Sequence, residues 1–324
     1  MSSALKVAAL GGGHGLAATL KALRSITNEI TAIVTVADNG GSSGRLREEF
    51  PIVPPGDLRM ALAALCADDE WGRNWAQIMQ YRFTSDGPLD GHAVGNLLLA
   101  ALWDRDQDVV AGLDQVGALL KVVGRVLPMT AVPLSIDATF RDHDKVIEAQ
   151  GQVAVATTKG RLQALRLSPE NPAVREEVLS AIEEADWITM GPGSWFSSVL
   201  PHLLVPSLRD AITQSKAKKI LLLNLDTDKA DAGGGEFAGY SPREHCEILF
   251  QYAPELHFDL VMADTNQGGA NLNKQGSMTE LRELLATRES AFYEGDLRDP
   301  LAHLHHSELK LASAFAHIAR EILV

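Results

Sequence analysis

The stretch that most constrains the fold is the apolar run Leu5 to Leu10, which ends directly in Gly11-Gly12-Gly13-His14-Gly15. A run this short, closed by glycines, reads as a buried strand that turns sharply. Leu16, Leu20 and Leu23 then recur on one helical face, and Ile30 to Ala37 forms a second buried-strand pattern ending in Asp38. Strand, glycine turn, helix and strand together make the opening βαβ unit of a doubly wound sheet. The expected fold class is therefore α/β, a Rossmann-like and mainly parallel sheet.

Further along, Asp57 stands after Pro54-Pro55-Gly56 as the expected N-cap of a helix through Ala67. Helical patterns recur around Trp75 to Tyr81, Ala93 to Trp103 and Val109 to Val122. The texture then changes. Val132, Leu134, Ile136, Ala138 and Phe140 alternate, as do Val153, Val155 and Thr157, so about 131–167 reads as antiparallel hairpins inserted in, or edging, the main sheet. Helix and strand alternate again from Val174: helices at Val174 to Ala185, Ser207 to Ser215, Pro242 to Tyr252 and Glu308 to Val324, with strands at Trp187 to Met190, Lys219 to Leu225 and His257 to Ala263. One domain spanning 1–324 is the expected organisation.

Composition excludes several classes. Hydrophobic residues make up 46% and charged residues 22%, enough to bury a core. The formal net charge of −13 and the lack of a basic stripe argue against nucleic acid as a partner. Lys216 to Lys219 reads as a solvated helix end. Cys66 and Cys246 are too far apart for metal-ligand spacing and read as buried thiols. No apolar run reaches the roughly 20 residues that span a bilayer, and Met1 to Lys6 has no signal core, so the expectation is a cytoplasmic protein with no membrane partner.

The chemistry concentrates in the loops. Gly11, Gly12, Gly13, His14 and Gly15 bring backbone N–H groups to a helix N-terminus, where an anion is welcome. Leu16 fills the last position of a G-x-G-x-x-G pattern, and no Lys-Ser/Thr pair follows as in a P-loop. In the second loop, Asp38 takes the place of a ribose-binding carboxylate, and Asn39, Gly40, Gly41, Ser42, Ser43 and Arg45 follow as a second bed of donors. Asp57 and Arg59 open a helix near which a ligand meets free N–H groups. His92 and Asn96, spaced i and i+4 and flanked by Gly91 and Gly95, are expected to share one helix face. Gly191, Pro192, Gly193 and Ser194 follow a third strand as another phosphate-type turn. In an open α/β sheet such loops share the carboxyl edge of the strands, so all three are expected to converge on one crevice. No nucleophile stands beside a base, and His303, His305 and His306 lack helical ligand spacing; neither a catalytic residue nor a metal ligand is assigned.

The segments LGGGHGL, VTVADNGGSSGRLR, PPGDLRMALAAL, GHAVGNLLLAAL, VLPMTAVP and MGPGSWFSSVLPHLLVP together resemble the gluconeogenesis-factor (YvcK-like) family, which shares its fold with 2-phospho-L-lactate transferase. The resemblance extends from Leu10 to Pro206. It implies binding of a UDP-sugar of the UDP-N-acetylglucosamine type, lined by the three loops with Asp57, His92 and Asn96. It also implies regulation linking carbon metabolism to cell-wall supply and cell shape in bacteria. Two departures matter: His14 stands where the family often has Thr, and Asn39 where it often has a second Asp. The tail near His305 departs from the family's Arg-His-Asp pattern. One missing carboxylate weakens the case for a divalent metal and for phosphoryl transfer. The expected function is thus a UDP-sugar-binding regulator without turnover and with no required cofactor; Mg²⁺ accompanying the nucleotide, regulatory protein partners and a homo-oligomer are left open. The alternative is a 2-phospho-L-lactate transferase-like enzyme with a nucleotide-diphosphate donor. A nicotinamide dehydrogenase fits only the first loop and Asp38.

Overall fold

The structure, a computed structural model, describes residues 4–225, 240–265, 272–302 and 304–323. His303, and Val324 at the end of the expected last helix, lie outside the described residues. Seven strands form one parallel sheet: β1 (Val7–Gly11), β2 (Ile30–Val34), β3 (Arg125–Pro128), β7 (Trp187–Met190), β8 (Lys218–Leu222), β9 (Leu260–Asp264) and β10 (Ala291–Gly295). Their order is β10-β9-β8-β7-β1-β2-β3. The chain thus builds outward from β1 in one direction, then returns to its other side and builds outward again. The reversal between β1 and β7 is the topological switch point, where such sheets open a crevice. Val7 pairs with Ile30 on one flank and Trp187 on the other. Every residue of β1, β7 and β9 is buried, as strands covered on both faces must be, whereas β10 at the edge is mostly half-buried.

Helices α1 (Gly13–Leu23), α2 (Gly41–Glu49), α3 (Pro55–Leu65), α4 (Glu70–Gln80), α5 (Val94–Asp106) and α6 (Val109–Leu120) occupy the first half. In α1, Leu16, Leu20 and Leu23 are buried together, as their spacing predicts. α3 begins with Pro55 at its first position, where a missing N–H costs nothing. Asp57 is therefore inside the first turn and is not the N-cap; Pro54 holds that position without a side-chain cap. Its carboxylate turns away to α1 instead.

The β-rich region is a separate three-stranded antiparallel sheet, order β5-β4-β6, made of β4 (Ser135–Asp142), β5 (Lys145–Gln150) and β6 (Arg161–Ser168). Val153 to Thr157 is not a strand: α7 (Gln152–Thr157) forms there, entered through Gly151 at φ +80°. Alternation over so few residues does not separate a strand from a turn of helix. The sheet is fastened by Phe140 against Phe196, with ring centroids 5.9 Å apart, and by the hydroxyls of Tyr240 and Tyr252 accepting from the N–H groups of Leu162 and Leu165.

The second half carries α8 (Glu176–Glu183), a π-helical turn at Trp195–Val199, α9 (Leu200–Leu204), α10 (Pro206–Gln214), α11 (Pro242–Tyr252), α12 (Leu272–Thr287) and α13 (Glu308–Glu321). Lys218 and Lys219 are not a solvated helix end. They belong to β8, where Lys219 is buried and donates to the carbonyls of Ser215 and Ala217. Cys66 and Cys246 are buried free thiols. Among the described residues no helix is long and apolar enough to cross a membrane.

Candidate functional site

All three glycine loops emerge at the carboxyl edge of β1, β2 and β7. The first and third are pressed together. A Cβ at Gly15 would overlap the Pro192 carbonyl, with the carbonyl carbon only 2.6 Å away. At Gly12 it would strike the Asp57 carboxylate and reach 2.6 Å from the Thr35 methyl. Gly12 itself is extended, so its glycine answers to close approach and not to backbone strain. Asn224, just past β8, clasps the third loop by accepting from Gly193 N–H and donating to Gly193 O, both at 2.7 Å. Ser194 caps the π-helical turn by accepting from Ser197 N–H at 3.1 Å. Below it, the Thr35 hydroxyl donates to Ser197 O at 2.8 Å.

Asp57 lies between the first two loops. Its carboxylate accepts from Gly13 N–H, and burial together with nearby Asp38 pushes it up to about 7. The residue as a whole is half-buried. Asp38 accepts from Gly40 N–H at 2.9 Å, fixing the turn into α2. Asn39 packs against Gly151 at the entry to α7, so the inserted sheet forms one wall of this loop.

Much of the second loop's side-chain capacity is used within the protein. Ser43 Oγ accepts from Gly56 N–H at 3.0 Å. Ser42 Oγ is 3.0 Å from His92 Nδ1 and accepts from Asn96 Nδ2 at 3.0 Å. Arg59, 2% exposed, donates from Nε to Asn96 Oδ1 at 2.8 Å and from its NH1 nitrogen to Gln80 Oε1. Arg45 turns outward to the carbonyls of Pro88 and Asp90. What this loop leaves for a ligand is chiefly the N–H groups of the first turn of α2. His92 does not share a helix with Asn96, because α5 begins at Val94 with Ala93 as its cap. The two meet through Ser42.

A groove of about 910 Å³ opens beside the first and third loops, between α1, α3, α4 and residues 299 and 304–309. His14, Gly15, Ser194 and Asn224 line its loop end; Ala18, Ala63 and Ala76 belong to its walls. Asp38, Asn39 and His92 do not line it. His14 faces His305 with ring centroids 5.6 Å apart, and burial followed by His305 holds His14 below the usual imidazole range. His306 is buried against Leu223 and pushed down to about 4. Among the described residues no cluster of three metal-ligating side chains exists. Sequence reasoning missed Asn224, Thr35 and Gln80. Only Asn224 had a signal, a polar residue closing the apolar run of β8.

A parallel sheet with a switch-point crevice framed by glycine loops defines a Rossmann-like α/β protein. Residues 7–306 match the family 2-phospho-L-lactate transferase CofD. The chain belongs to this family, on the branch whose members are described as gluconeogenesis factors. A putative gluconeogenesis factor of Mycobacterium tuberculosis (strain H37Rv) is 44% identical over 303 residues, covering 92% of this chain and 86% of the relative. That of Thermotoga maritima is 36% identical over 327 residues, covering 98% and 100%. A crystal structure of a UPF0052 family protein from Bacillus halodurans aligns with TM-score 0.83 and 31% identity, covering 98% of this chain and all of that one.

Proposed function

We propose that this protein binds a UDP-sugar of the UDP-N-acetylglucosamine type in the switch-point crevice and acts in the cytoplasm as a regulator linking carbon metabolism to cell-wall supply and cell shape. The observation that carries this reading is the meeting of three glycine loops and the N-termini of α1 and α2 at one sheet edge. Backbone N–H groups there suit a diphosphate, and the adjoining groove has room for a base or sugar. In this reading the ligand acts as a signal and not as a substrate.

The second reading, a transferase of the 2-phospho-L-lactate type, is favoured by one observation. Asp57 stands close enough to Asp38 to raise its own pKa, so a second carboxylate is present although Asn39 does not supply it. Calorimetric titration with UDP-N-acetylglucosamine, UDP, GDP and NAD⁺, each with and without Mg²⁺, separates the readings. UDP-sugar binding with no loss of the phosphorus NMR signal over hours supports the regulator. Enzyme-dependent product formation would replace it with the transferase.

A further inference from the structure

The chain of side chains that begins at Arg59 has a direction. A guanidinium can only donate, so Arg59 Nε must meet the oxygen of the Asn96 amide, which it does at 2.8 Å. The amide nitrogen then points the other way and donates to Ser42 Oγ at 3.0 Å. A hydroxyl has one proton and two acceptor positions; Ser42 accepts from Asn96, and among the described residues His92 Nδ1, 3.0 Å away, is the acceptor within reach of its proton. Nδ1 is thereby an acceptor, and the neutral ring carries its hydrogen on Nε2. Burial, then Arg45, holds His92 below the usual imidazole range, in keeping with a neutral ring. No partner for Nε2 is found among the described residues.

We infer that Arg59, Asn96 and Ser42 are a one-way relay that fixes His92 as a neutral Nε2–H donor, and that the ligand presents an oxygen acceptor to it. The inference rests on the nucleotide-sugar reading of the crevice. Arg59 then acts as a positioning residue: its guanidinium sets the amide orientation, which sets the hydroxyl, which sets the imidazole tautomer. The acceptor oxygen belongs either to the sugar or to the diphosphate, and UDP alone distinguishes these sources.

The test is nitrogen-15 NMR of the histidine-labelled full chain at pH 7.5 without ligand, paired with titrations. In the wild type, His92 is expected as the Nε2–H tautomer. In Asn96→Asp the new carboxylate still accepts from Arg59 but cannot donate. The Ser42 proton turns to it, and His92 loses its fixed tautomer. Affinity for UDP-N-acetylglucosamine should fall about tenfold, while Asn96→Gln, which keeps a donor, should retain more of both signals. An equal loss for UDP assigns the acceptor to the diphosphate; a loss confined to the UDP-sugar assigns it to the sugar. A purely structural role would lower the melting temperature of Asn96→Asp and leave the tautomer alone. A protonated or Nδ1–H ring in the wild type, or an unchanged tautomer and affinity in Asn96→Asp, overturns the relay. The expected tautomer with no nucleotide binding at all would overturn the proposed function and not the relay's geometry.

Discussion

The first and second glycine loops leave neighbouring strands of one sheet, yet they are held by different physics. The first is held by contact: Gly12 lies against Asp57 and Thr35, Gly15 against Pro192, and neither has room for a methyl group. The second is held by directed polar bonds through Ser42 and Ser43, while Gly41, at φ +50°, has nothing within 4 Å of its missing Cβ. The same residue type therefore answers to packing at Gly12 and Gly15 and to backbone conformation at Gly41. Filled space holds the first loop at Gly12 and Gly15, and hydrogen bonds hold the second at Ser42 and Ser43.

The comparison is broken most directly at Gly15. Gly15→Ala should separate the first and third loops, lower stability by about 3 kcal/mol and abolish UDP-sugar binding. Thermal unfolding and calorimetry read both, and a normal melting temperature would remove close packing as the reason for this glycine. Gly12→Val should also destabilise, because the residue is buried among Asp57, Thr35 and Ser198 and does not lie outside the core.

Acid should act on the packed side of the molecule. His202 bonds the Ile33 carbonyl beneath the crevice, and burial pushes it, like His245 and His306, down to about 4. The folded state keeps these rings neutral while the unfolded chain protonates near 6.5, so the stability of the neutral rings is lost as pH falls from about 6.5 toward 4. At pH 5 each costs about 2 kcal/mol. Denaturation midpoints that do not change between pH 8 and pH 5 would contradict the burial of these rings.

Asp57 has the opposite sign. Its raised pKa means that the fold binds a proton which the unfolded chain releases, so this carboxylate destabilises the ligand-free protein increasingly as pH rises from about 4 through 7. Asp57→Asn should raise stability at pH 8 by about 1–2 kcal/mol, after discounting for its remaining solvent contact, with the gain shrinking toward pH 5. A loss at pH 8 would show that the charge is offset in the free protein. The smallest effect belongs to Gly41. Gly41→Asn should cost less than about 1 kcal/mol, because asparagine tolerates positive φ and nothing crowds the site. A cost like that of Gly15→Ala would erase the distinction between the loops.

Most of the sheet was legible because strands buried on both faces leave short apolar runs, and Leu5 to Leu10, Ile30 to Ala37 and Trp187 to Met190 are such runs. β3 and β10 were not foreseen. β3 is four residues long with a proline at its end, and β10, Ala291–Gly295, is a half-buried edge with no fully buried residue to mark it. The three loops could be read from glycines, which announce turns wherever they stand. The partners of those loops could not, because no local pattern says that Gly12 lies under Asp57 or that Gly193 will be clasped by Asn224. Asp57 looked like a cap because it follows Pro-Pro-Gly, but Pro55 already begins the helix.

The switch point has a consequence for how the protein comes into being. Its crevice is made where Val7 pairs with Ile30, a local neighbour, and with Trp187, a partner from far along the chain. Contacts so distant in sequence must overcome a greater loop-closure entropy than the local pair before they are rewarded. During synthesis the first loop leaves the ribosome long before the third, so an N-terminal fragment with every residue of the first two loops still lacks the crevice. The crevice is complete only once the third loop, Gly191 to Ser194, has been made and has packed against the first.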